Sequence, residues 1–199
     1  MHKKYLILIL TISMTLLPLL NIEGQKFNVF VPQSNDTNSL TTKQGGSIYN
    51  NTVLVLMNTT LNSSIYNEVS TFVQDIINGL KCNASLYVYP NSWTPSNLRN
   101  FLNNTYQNFG LRGAILIGQA PAFFYEHIYQ VPAVKYFRFP WDYYYMDLDC
   151  KFTDLDGNLT ADSMSGNIGP EIWVSRIDAH KLSNEVNLYK DFFARNNLV

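Results

Sequence analysis

The chain has 199 residues, with 14 lysines and arginines against 15 aspartates and glutamates, for a net charge of −1. That balance excludes the basic face a nucleic-acid protein needs, and with only 15% charged residues, Asn, Ser, Thr and Tyr supply most of the polarity, as suits an extracellular surface. Two cysteines in a chain this long exclude a disulfide scaffold; in an oxidising compartment Cys82 and Cys150 could pair, and two free buried thiols fit equally well.

Residues 1–24, MHKKYLILILTISMTLLPLLNIEG, place a basic start at Lys3 and Lys4 before an apolar run from Tyr5 to Leu20 and a small Gly24. This is the layout of a secretory signal peptide, and it predicts a secreted or cell-surface protein that meets the membrane only through this segment. An uncleaved anchor is the rival, since the apolar run falls only a little short of the roughly 20 residues a spanning helix needs. Sequons such as Asn58-Thr59-Thr60 and Asn83-Ala84-Ser85 matter only in a host that glycosylates. Residues 25–51 are rich in Ser, Thr, Asn and Gly and read as a flexible leader, with one edge strand at Phe27 to Val31.

The globular pattern covers 52–199. Thr52 to Met57, TVLVLM, is the short β-branched run of a strand buried on both faces. Ile65, Val69, Phe72, Val73, Ile76, Ile77 and Leu80 then share one helical stripe, with Ser64 placed to cap it and Glu68 in its first turn. Ser85 to Tyr89 reads as a second strand. Thr94 and Pro95 start a helix whose stripe is Leu98, Phe101, Leu102, Thr105 and Phe109, stopped by Gly110. Gly113 to Gly118 is a third buried strand. Strands separated by helices predict parallel pairing through right-handed crossovers, hence a doubly wound α/β fold with a mainly parallel sheet flanked by helices. Glu171 to Val174 reads as a further strand, and Leu182, Val186, Tyr189 and Phe193 as a last helix capped by Ser183.

Between them lies DYYYMDLDCKF, residues 142–152. With a period of two, Tyr144, Met146, Leu148, Cys150 and Phe152 form an apolar face and Tyr143, Tyr145, Asp147, Asp149 and Lys151 a wet one. Asp154-Leu155-Asp156-Gly157-Asn158 then carries turn chemistry, which predicts a β-hairpin insertion at the rim of the sheet. Asp147, Asp149, Asp154 and Asp156 also crowd four carboxylates, and they are the candidate metal ligands for a structural calcium ion, although their spacing is not that of an EF-hand. No cofactor is required by anything else in the chain.

Phosphate-cradling, dinucleotide-binding, serine-hydrolase and zinc motifs are all missing. His2 lies in the leader, and His127 and His180 stand alone in sequence. His127 follows the third strand at the carboxyl side, where ligands gather in open α/β sheets. Cys150 with either of these histidines is a conceivable thiol dyad, but its place on an apolar face argues for inert packing.

The ordered set ILIG at 115–118, DYYYMDLD at 142–149, an Asp- and Gly-rich turn and PEIWVSRID at 170–178, followed by a helix, resembles the amino-terminal half of the gingipain-type cysteine peptidases. The likeness covers roughly residues 53–196. It implies a caspase-like fold and a secreted endopeptidase acting on protein or peptide substrates. The chain departs from the family pattern at Gln119, where Asp is common, and at Cys150 and Ser175, where Gly is common. The family's catalytic His-Gly loop and later nucleophilic Cys follow the helix that matches Leu182 to Arg195. No position here matches them, so none is carried over, and the ending NNLV leads us to expect the amino-terminal part of a longer precursor. The alternative is an exported, non-enzymatic α/β module that binds through Tyr143 and Tyr145. Either way, a parallel sheet would bring Arg176 to Asp142 as a partly buried ion pair.

Overall fold

A computed structural model describes residues 52–129 and 135–196; the leader assignments for 1–24 and 25–51, including the strand at Phe27 to Val31, lie outside them. The core is a four-stranded parallel sheet. β1 (Thr52–Asn58) sits between β2 (Asn83–Tyr89) and β3 (Leu111–Ile117), and the outer strand beyond β3 is Trp173–Ile177, so the order runs second, first, third, last. β1 fills the centre because all seven of its residues are buried. Each of its apolar side chains contributes about 1.5–3 kcal/mol through burial.

Helices cover both faces. α1 (Asn62–Leu80) joins β1 to β2 and packs Ile65, Val69, Val73 and Ile76 against Val53, Val55 and Met57. α2 (Pro95–Phe109) joins β2 to β3. Its Phe101 stacks on Tyr87, 4.6 Å between ring centroids, on the opposite side of the sheet. That division follows from the alternation of side chains along a strand, since Ala84, Leu86 and Val88 pack with the α1 cluster and Tyr87 does not belong to it. Thr94 and Asn97 form a reciprocal capping box at the start of α2, and Gly110 ends it at φ 62°. Gly113 of β3 lies opposite Trp173 in register, and a methyl group there would overlap the indole.

Four details differ from the expectations drawn from sequence. Ser64 lies inside α1 and does not cap it: a 3-10 turn at Thr59–Leu61 precedes the helix, and the Asn58 side chain accepts from Thr60 N at 2.9 Å. The expected strand at Glu171 to Val174 begins later, at Trp173, because the Glu171 and Ile172 amides donate to the Met146 carbonyl instead. The last helix begins at Glu185, beyond Ser183, after two left-handed residues, Lys181 and Asn184. Its Tyr189 and Phe193 are buried as the stripe requires, whereas Leu182 is exposed.

The largest difference is in the tyrosine stretch. Residues Tyr143–Met146 form a short helix, α3, and only Lys151–Thr153 is extended, as strand β6. Two antiparallel ribbons stand beside the sheet: β4 (Phe124–Tyr129) with β5 (Lys135–Pro140), and β6 with β7 (Ser163–Ser165). We label the outer sheet strand β8 and the final helix, Glu185–Asn196, α4. α4 packs its buried ring pair into the α1 side of the core.

Side chains take the hydrogen bonds that a ladder would have used at 147–150. Arg99 of α2 donates to the carbonyls of Asp147 (2.8 Å) and Cys150 (2.7 Å), and its guanidinium lies over the Tyr144 and Phe152 rings. Asp147 accepts from the amides of Cys150 (2.8 Å) and Gly169 (3.1 Å), and Glu171 accepts from Leu148 N. Such local side-chain bonds compete with regular structure, and here they win. Asp147 is therefore fully buried, contrary to its place on the wet face, and Tyr145 is buried too.

Candidate site at the carboxyl edge of the sheet

β2 follows β1 on one side and the chain then crosses back from β2 to β3 on the other, so the direction of growth reverses and the switch point lies between β1 and β3. Open α/β sheets bind ligands outside the carboxyl ends of the strands at such a switch point. A crevice of about 620 Å³ opens there, walled by residues that follow β1, β2, β3 and β8.

Asn58, the last residue of β1, ties three of these loops together. Its amide nitrogen donates to Asn91 Oδ1 (3.2 Å) and to the Gln119 carbonyl (3.1 Å), while its oxygen takes the amide and hydroxyl of Thr60. Arg176, near the end of β8, closes the other wall. Its Nε and Nη2 each reach an Asp142 oxygen at 2.6 Å, and the remaining donors take the carbonyls of Ala120 (3.2 Å) and Pro121 (3.1 Å). The fork-to-fork geometry is the strong form of this pair. Burial alone would lower the Arg176 pKa, but the hydrogen bonds and charge of Asp142 outweigh it and raise it. The predicted ion pair is present. Tyr145 braces the same corner, its hydroxyl donating to Pro121 O at 2.7 Å.

Two polar atoms at this crevice have no partner. The Tyr89 hydroxyl is sealed in a fully buried residue, and His180 Nε2 is likewise closed off. Asn58 lies near Tyr89, but both of its amide hydrogens and its oxygen are already engaged. An unpaired buried polar group costs about 1–3 kcal/mol. Burial pushes the Tyr89 pKa up to about 12, against smaller downward pulls from Asn58 and Arg176. The neighbouring Tyr189, buried against Asp178, is also raised to about 12 by burial, with Ala179 N donating to its hydroxyl and pulling the other way.

The four candidate metal ligands do not converge. Asp147 and Asp149 gather with Glu171, and Asp154 and Asp156 with Asp162, each trio having carboxylate oxygens within 4.8 Å of one another. Glu171 lies more than twenty residues beyond Asp147 and Asp149, whereas Asp162 is only six residues beyond Asp156, just outside the stretch from which the four acids were read. In the first trio Asp147 is held by backbone amides inside the fold, which makes it a turn organiser. In the second, Asp154 accepts from Gly157 and Leu159 amides at 2.7 Å, and these bonds outweigh burial and lower its pKa.

The thiol dyad is not assembled. Cys82 and Cys150 are both free and buried, and burial raises both thiol pKa values. The contacts of the Cys150 sulfur are the carbonyls of Lys151 and Ser165. His127 lies exposed on β4, away from the crevice walls, whereas His180 stands in them. A sequence signal for the crevice existed: an asparagine closing an apolar strand, VLVLMN, where a buried polar residue must have partners.

Comparison with known protein families, with curated proteins and with solved structures returned no match. The chemistry of the site is therefore read from its own residues.

The raised tyrosines set a pH dependence. An unfolded tyrosine loses its proton near pH 10, whereas Tyr89 and Tyr189 hold theirs to about 12 in the fold. The native state then binds more protons than the unfolded one across that window, so stability is complete below about pH 10 and is lost as pH rises towards about 12. Urea denaturation followed across that range should show the fall, and Tyr89→Phe should lessen it. An unchanged alkaline profile in Tyr89→Phe would contradict the assignment of Tyr89.

Proposed function

We propose that this chain is the amino-terminal part of a secreted cysteine endopeptidase similar to the gingipains, with a caspase-like sheet. One observation carries the reading. The three stretches behind the resemblance, 115–118, 142–149 and 170–178, are bonded to one another: Arg176 binds Asp142 and the carbonyls two and three residues beyond Gly118, and Glu171 and Ile172 bond to Met146 and Leu148. Motifs in order along the sequence thus form one body at the edge of the sheet. On this reading the chain supplies a rigid scaffold, and a thiolate and imidazole from outside residues 52–196 perform the attack on a peptide carbonyl. Cys82 and Cys150 are unsuited to that role, because a thiol with a raised pKa is rarely ionised. Among the described residues no helix is long and apolar enough to cross a membrane.

The alternative, a non-enzymatic binding module, loses the tyrosine surface assigned to it: Tyr145 is buried and Tyr143, half-buried, stacks on Trp141 at 5.1 Å. A binding role would rest on the crevice instead of on these two tyrosines.

The reading frame beyond codon 199 tests the proposal. It should encode a His-Gly stretch and then an apolar run ending in Cys, and the full-length product should hydrolyse peptides in a thiol-dependent way that survives Cys82→Ser and Cys150→Ser. A stop codon at once, or hydrolysis lost in either of those variants, would overturn it.

For the metal expectation, the trio Asp154, Asp156 and Asp162 fits a hard cation in donor type, with the Asn158 side chain at hand. On this reading calcium would pin the β6–β7 connection and take no part in chemistry. Calcium should raise the melting temperature of the parent and leave that of Asp162→Asn unmoved. An equal response in both, or none in the parent, would remove the ion.

A further inference from the structure

We propose that the carboxyl-edge crevice binds a neutral, hydroxyl-rich ring, a sugar residue being the chemical class, seated against Trp93 and hydrogen-bonded by His180, Asn91 and Gln119. Its position is the first argument, because a switch-point crevice at the strand ends is where this architecture places ligands.

The second is the pair of partnerless polar atoms. Native proteins leave few buried polar groups unsatisfied, and each such group calls for an explanation. Here two of them, Tyr89 Oη and His180 Nε2, belong to the walls of one crevice. His180 sits in the loop that holds Lys181 at φ 68° and Asn184 at φ 63°. Left-handed backbone at residues other than glycine carries strain, and such strain gathers at functional sites. On this proposal the His180 imidazole turns about its side-chain bonds when the ligand binds, so that Nε2, closed off in the unliganded structure, meets a ligand hydroxyl.

The ligand class follows from charge and shape. Arg176 is spent on Asp142 and two carbonyls, so neither charge of that pair is left to select an ion. The rim carries one charge of each sign, Lys181 and Asp178, and one Asp178 oxygen already takes His180 N, so the rim offers no net charge. What remains for recognition is neutral: the side-chain amide of Asn91, whose oxygen is occupied by Asn58 and whose NH2 is not, and the exposed amide of Gln119. Beside them Trp93 is half-exposed and held by stacking on Tyr87 and Tyr89, each 5.7 Å between centroids. A fixed aromatic plane for the C–H face of a pyranose, with amide and imidazole groups for its hydroxyls, is the complement of a sugar.

Saturation-transfer NMR on the folded full chain tests this, with the methyl glycosides of mannose, glucose, galactose and N-acetylglucosamine as probes, and tri-alanine and methyl phosphate as class controls. At least one glycoside should receive saturation. Trp93→Phe should keep the signal, Trp93→Ala should abolish it, and His180→Ala should weaken binding by roughly tenfold; Lys151→Ala, remote from the crevice on β6, should change nothing. No transfer to any glycoside, transfer to tri-alanine or methyl phosphate alone, or a glycoside signal that persists in both Trp93→Ala and His180→Ala would overturn the proposal. Circular dichroism of each variant establishes that it is folded, and the His180 variant stands if Trp93→Ala is not.

Discussion

One guanidinium holds the carboxyl edge of the sheet together. Arg176 reaches from β8 to Asp142 at the start of the tyrosine turn and to two successive carbonyls beyond β3. These three segments come from distant parts of the chain, and the β3–β8 ladder ends at Ile117 and Ile177, short of the carbonyls that Arg176 binds. Without a cation of that shape, the carbonyls of Ala120 and Pro121 and the carboxylate of Asp142 would all converge with nothing to neutralise them. Lysine would not serve, since a single ammonium cannot engage both oxygens of a carboxylate in parallel. The crevice walls, the Tyr145 brace and the placement of α3 all follow from this clamp.

The parallel sheet was legible in the sequence because its cause is local and repetitive. β1 reads as VLVLM since every residue is buried, and the α1 and α2 stripes differ from it in period. The Thr94–Pro95 start and Gly110 stop of α2 are chemical signals that depend on immediate neighbours alone, and both hold in the fold. The Arg176–Asp142 pair was expected from a tyrosine strand starting at the sheet's edge; it forms although that stretch is helical, because Asp142 still stands at the carboxyl edge where β8 ends.

The tyrosine stretch was not legible, for a different physical reason. Tyr144, Leu148 and Cys150 of the expected apolar face are buried, but so are Tyr145 and Asp147 of the other. Whether the backbone extends there, however, depends on Arg99, Glu171 and Gly169, none of which is a neighbour in sequence. Competition between a ladder and remote side chains leaves no mark in a window of ten residues. The same limit hid Glu171 from the first acidic group, and it hid the crevice, whose walls are assembled from four loops. Polar residues at the ends of apolar strands, Asn58 above all, are the trace such sites leave.

The stability of the edge should therefore respond to Arg176 and Asp142 as a unit. The pair is only partly shielded, with 23% and 33% of the two side chains exposed, so its worth is less than that of a fully buried one. A double-mutant cycle with Arg176→Ala, Asp142→Ala and the combined variant, followed by urea unfolding, measures it directly. We expect a coupling energy of about 2 kcal/mol. Costs that simply add, with coupling below about 0.5 kcal/mol, would contradict the claim that this clamp organises the carboxyl edge.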